Sequence, residues 1–227
     1  MEKGYKYVGH FMTLLIALVF FAFFKTYFNA IPGLSSMLEI LIHSHAFFMI
    51  TWVLLLIVQP ILILYKKNKL HKLLGKITYG VFPMVILTSI GMMFHVYHRG
   101  IINGLAIADN LKNLLFPVVC GIMMVLFFGL SIRDIKNKNI GGHMRYMVAL
   151  AIILLDQTIT RIGIFWFDIP FPNVMFFTYG ITDFILLALI LYDVLYKRDY
   201  RPYLLALGCF LLYHASFCVL YRDLLKP

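Results

Sequence analysis

Long apolar runs alternate with short polar breaks along the whole chain, and each run has the length of a membrane-crossing helix. The runs predict helices at residues 7–28, 41–65, 77–98, 113–132, 145–167, 175–196 and 203–221, close to the roughly 17–25 residues that cross a hydrocarbon core. Pro32 with Gly33, Gly100 with Asn103, Gly141 with Gly142, Pro170 with Pro172, and Pro202 fall in the breaks, where helix-terminating residues belong. The pattern predicts an all-α integral membrane bundle of seven transmembrane helices, one domain over residues 1–227. Lys3 and Lys6 precede the first run as in a secretory signal. That run is longer than a signal core and no A-x-A-like cleavage site follows, so it reads as a retained helix.

Composition agrees with this reading and removes the soluble classes. The chain is 62% hydrophobic and 13% charged, whereas a soluble domain carries roughly 45–50% apolar and about 25% charged residues. A net charge of +10 would suit nucleic acid, but the basic residues stand between apolar runs without interleaved aromatics, so the implied partner is the lipid bilayer and nucleic acid is excluded. With seven spans, 14 of the 20 Lys and Arg residues fall on one side: Lys3, Lys6, Lys66, Lys67, Lys69, Lys72, Lys76, Arg133, Lys136, Lys138, Arg145, Lys197, Arg198 and Arg201. The other side holds Lys25, Arg99, Lys112, Arg222 and Lys226. This bias predicts a cytoplasmic N-terminus. Cys120, Cys209 and Cys218 lie inside apolar runs with no C-x-x-C spacing, which indicates neither a disulfide framework nor a zinc knuckle.

Ionisable groups within apolar runs carry most of the functional information, because they are costly in lipid and mark sites or pathways. Asp156 is about 17 Å along the fifth predicted helix, His214 about as deep in the seventh, and Asp183 about 12 Å from the opposite end of the sixth. Arg161 is the expected neutraliser of Asp156, Asp183 or both, and Gln59 is the polar group of the second helix. Helical spacing puts His45, Trp52 and Gln59 on one stripe with His43 roughly opposite, and aligns Thr88, Met92, His95 and His98 on another. On the last helix Tyr203, Phe210, His214, Cys218 and Tyr221 align in the same way. Tyr97, Trp166, Tyr179 and Tyr221 read as aromatic-belt residues.

Three chemistries suit this set. The first is a metal or haem site: imidazoles on different helices at matching depth ligate transition metals or haem iron. His45, His95, His98 and His214 are the metal candidates, for zinc or iron, joined by Asp156 or Asp183. His71 and His143 form a second pair for haem b, with Arg145 placed for a propionate. The second is a proton relay or proton-coupled carrier of a small molecule or ion using Asp156, Asp183 and His214. The third is structural, Asp156, Asp183, Arg161 and His214 forming a satisfied network that fixes helix register. At the membrane surface, His71 and His143 also suit headgroup contact. A zincin is excluded because no H-E-x-x-H occurs, and a retinal receptor because every Lys is at a helix end or in a loop. Pro60, Pro83 and Pro117 are read as lying near helix ends and so give little support to the broken helices of carriers. No catalytic residue is assigned.

Two resemblances follow from these residues. His45, the His71-Lys72-x-x-Gly75-Lys76 loop, and His143-x-Arg145-x-Met147 followed by Thr160-Arg161 together resemble a family of bacterial multi-pass membrane proteins of unknown function. The resemblance covers roughly the second to fifth helices; it implies a bacterial inner membrane and carries no activity. The two-level histidine arrangement is similar to the two-haem plan of cytochrome b561-type proteins. It departs from that plan in that His71 and His143 read as loop or first-turn residues.

Overall fold

A computed structural model describes residues 5–29, 31 and 36–221. Lys3, Pro32, Gly33, Arg222 and Lys226, used above for topology and breaks, lie outside the described residues. Seven helices are present among them: α1 (Val8–Phe23), extended by the π-helical turn Phe24–Phe28, α2 (Met37–Leu64), α3 (Asn68–Ile102), α4 (Ile107–Lys136), α5 (Ile140–Phe167), α6 (Phe171–Leu195) and α7 (Arg201–Leu220). Each is long and apolar enough to cross a membrane.

Helices α2 to α7 begin earlier than hydropathy alone places them, and capping explains two of these starts. Ser36 accepts from the Glu39 amide at 3.2 Å while Glu39 accepts from the Ser36 amide at 2.8 Å, a reciprocal box that starts α2 at Met37. Asn139 accepts from the Gly142 amide at 3.0 Å and starts α5 five residues before the apolar run. Pro172 and Pro202 stand in the first turns of α6 and α7, where the missing amide hydrogen has no helical acceptor to lose. Pro83 and Pro117 are corrections to the sequence reading: they lie inside α3 and α4, well away from either end, and the helices run on through them.

The chain divides into two compact units, residues 1–121 and 122–227, with α4 passing from one to the other. In the first, α2 packs on both α1 and α3. Trp52 is fully buried and meets Phe82 of α3 with ring centroids 5.1 Å apart. In the second, α5, α6 and α7 pack pairwise. Their seam is built by spacing: Asp156, Thr160 and Gly163 fall on one stripe of α5. Thr160 bonds Thr178 of α6 at 3.3 Å. Gly163 has no side chain where Val174 of α6 packs, so any larger residue would collide with it.

Candidate functional site

Among the described residues the buried acids and the buried arginine lie in the second unit, and two layers of them bear on function. At the end where α5 begins and α6 stops, Arg145 and Asp193 form a fork-to-fork ion pair, Nε to Oδ2 at 2.7 Å and Nη2 to Oδ1 at 2.9 Å. Their side chains are 1% and 0% exposed. Arg145, placed on sequence grounds beside a haem propionate, is therefore already engaged by a carboxylate. Asp193 was not singled out from sequence. Its signal was a lone acid near the end of an apolar helix, level with the arginine that starts the preceding one.

The deeper layer lies near the middle of α6. Asp183 is 12 residues from Phe171, about 18 Å, and Asp156 is 11 residues from Phe167, about 17 Å, at 1.5 Å per residue. The two are at one depth and Asp156 lies within electrostatic reach of Asp183. Asp183 Oδ2 meets His214 Nδ1 of α7 at 3.1 Å. Thus the partner found for Asp183 is His214, where Arg161 had been expected. The Arg161 guanidinium lies over the Phe165 ring, 5.1 Å from its centroid.

Rings fix the imidazole. Tyr179 of α6 stacks on it with centroids 3.8 Å apart and planes 22° from parallel, and Phe210 meets it edge-on at 5.8 Å. Tyr179, expected in an aromatic belt, is interior. The buried stripe of α7 is Tyr203, Phe210, His214, Phe217 and Tyr221. Cys218 is exposed, so Phe217 takes the place given to it by sequence.

Polar satisfaction is incomplete at this depth. Asp156 is 1% exposed, with Oδ2 3.3 Å from the Gln157 amide nitrogen. Asp156 Oδ1, Asp183 Oδ1 and His214 Nε2 are buried and without a hydrogen bond among the described residues. Buried polar atoms are almost always bonded, so these three set the layer apart from the closed Arg145–Asp193 pair.

The remaining sequence candidates are dispersed. In the first unit His45 Nδ1 lies 3.2 Å from Thr88 Oγ1, joining α2 to α3. His43, predicted to face away from the bundle, also meets a neighbouring helix, with Nδ1 2.8 Å from the Tyr27 hydroxyl, and is half-buried like His45. His95 is half-buried and His98 exposed, so the two do not share an inward face as the spacing predicted. Gln59 belongs to the α2–α3 turn, apart from any aspartate: with its amide nitrogen toward the ring, it bonds His71 Nδ1 and accepts from the Gly75 amide at 2.8 Å. In the second unit His143 Nδ1 lies 2.7 Å from Ser131 Oγ. The two histidines share a plan that sequence showed only in part: each bonds a polar side chain twelve residues earlier.

A metal reading requires about three protein ligands at one point, and no group of three or more His, Cys, Asp or Glu side chains among the described residues is placed to hold a metal ion. His214, with Nδ1 turned to a carboxylate, does have the orientation that metal-bound histidines share. It lacks the companion ligands. No family model, no curated protein and no solved structure matches the chain. Fold and composition together define its class, a multi-pass helical membrane protein in contact with lipid.

Proposed function

We propose that the protein carries protons, as a relay or as a proton-coupled carrier, through Asp156, Asp183 and His214. The carrying observation is the 3.1 Å contact of Asp183 Oδ2 with His214 Nδ1, beside a second buried carboxyl. Asp156 is 1% exposed and its one bond among the described residues is to the neutral Gln157 amide, and a buried carboxylate so held is costly. A proton or a bound cation neutralises it. A proton on Asp183 crosses the 3.1 Å contact to Nδ1, and the imidazole releases its other proton from Nε2, which has no hydrogen bond among the described residues. The stacked Tyr179 ring favours the cationic imidazolium that forms between these two steps.

The positive-inside bias supports a cytoplasmic location for the 134–144 connection. The bacterial inner membrane remains part of the same proposal, resting on the family resemblance alone.

Infrared difference spectra of the reconstituted protein test the proton site without knowledge of a substrate. A pH-dependent protonated-carboxyl band is expected in the wild type, absent in Asp156→Asn or Asp183→Asn and altered by His214→Gln. A spectrum without such a band, or one unchanged by all three substitutions, overturns the proposal. In vesicles with a trapped pH dye, the same variants should slow proton entry. Elemental analysis and an absorption spectrum of the purified protein address the metal and haem alternative directly.

A further inference from the structure

The basic turn between α2 and α3 offers a surface with its own chemistry. α3 has 35 residues, about 52 Å at 1.5 Å per residue, against a hydrocarbon core of about 30 Å. The uncharged stretch between Lys76 and Arg99 is 22 residues, about 33 Å, and matches that core. The preceding turns of α3, Asn68 to Lys76, therefore stand at the boundary between headgroups and acyl chains.

Two faces of that overhang are exposed. Lys69, Lys72 and Lys76 recur at helical spacing and all are exposed; Leu70, Leu73 and Ile77 lie alongside and are exposed too. The opposite face, through His71 and Gly75, is engaged by Gln59. Lys66 and Lys67 add two exposed charges at the turn, with Lys66 held in the left-handed region at φ 58°. No Asp or Glu occurs in the chain between Glu39 and Asp109. None of these five lysines has an ion pair among the described residues, whereas Lys112 takes Asp109 and Arg145 takes Asp193. The charge of the turn is therefore left for an external anion.

We propose that this surface binds anionic phospholipid of the adjoining leaflet, phosphate against Lys69, Lys72 and Lys76 and acyl chain against Leu70, Leu73 and Ile77. A free phosphate or an acidic protein satisfies the lysines alone. A lipid satisfies the lysine stripe and the apolar stripe at the same level, which decides between them.

Native mass spectrometry of the full chain, titrated with phosphatidylglycerol or phosphatidylcholine, tests this. Retained phosphatidylglycerol should exceed phosphatidylcholine in the wild type. It should fall on the order of a hundredfold in Lys69→Gln/Lys72→Gln/Lys76→Gln, since each surface lysine contributes roughly a fivefold gain toward anionic lipid. The corresponding Lys→Arg triple should retain it, which separates lost charge from lost folding. Leu70→Ser/Leu73→Ser should weaken lipid retention as well. Equal retention of both lipids, an unaffected Gln triple, or competition by inorganic phosphate or a polyglutamate peptide at equal strength with the leucine variant unaffected would overturn the proposal.

Discussion

Two ion pairs join α6 to its neighbours, and their difference separates a lock from the pair on which the proton proposal rests. Arg145–Asp193 is matched charge for charge, bidentate, and closed to solvent. Asp183–His214 is joined by one 3.1 Å contact, its side chains are 24% and 9% exposed, and a second acid, Asp156, stands at the same depth. Both use a carboxylate of the same helix. What differs is the balance: the first pair meets through both oxygens, while Asp156 Oδ1, Asp183 Oδ1 and His214 Nε2 of the second layer have no hydrogen bond among the described residues.

The largest effect expected from breaking this contrast is at the lock. Arg145→Leu removes the bidentate contact from buried Asp193 and should cost about 3–5 kcal/mol, and adding Asp193→Leu should restore much of that. Thermal unfolding of the four proteins in detergent closes the cycle; a double variant no better than the single one would remove the lock from the comparison. Next comes the incomplete layer itself. Asp183→Asn combined with His214→Gln should show a coupling of about 0.5–3 kcal/mol. The cycle of Asp183→Asn with Arg161→Leu should show a smaller one; the reverse order would return Arg161 to the role that sequence gave it.

A smaller effect is expected at the helix start that shares its end of the unit with the lock. Ser131→Ala removes the His143 bond and should cost about 1 kcal/mol, read in the same melts. The smallest change in stability belongs to Asp156→Asn, an isosteric change at a carboxyl with one bare oxygen, expected to stay within about 1 kcal/mol. Yet it should abolish the carboxyl infrared signal. A large stability loss without spectral change would make Asp156 part of a second lock.

Hydropathy located all seven helices because the need to bury each backbone amide in lipid leaves few alternatives. It misplaced their ends where helix and hydrocarbon part company. The α3 run at 77–98 marks the lipid-covered part, whereas Asn68–Ile102 is the helix, since backbone bonding continues past the apolar core. Asp156, Asp183 and His214 were legible as mid-membrane polar groups, and their shared depth followed from the rise per residue. Partners were not legible. Asp193 and Ser131 became significant only through helix packing, and Arg161 sits five residues from Asp156, about 140° around the helix. A stripe read from spacing is also easily turned by one position, as Cys218 and Phe217 illustrate.

The lock has a further consequence in time. Its members are 48 residues apart in the chain, so at about 5–20 residues per second the ribosome delivers Asp193 some 2–10 s after Arg145. During that interval α5 presents an arginine whose counter-ion has not been made. Pairing with Asp193 therefore favours entry of α5 and α6 into the bilayer as a hairpin. A ribosome stalled between Arg145 and Asp193 would hold a fifth span still accessible from the membrane surface.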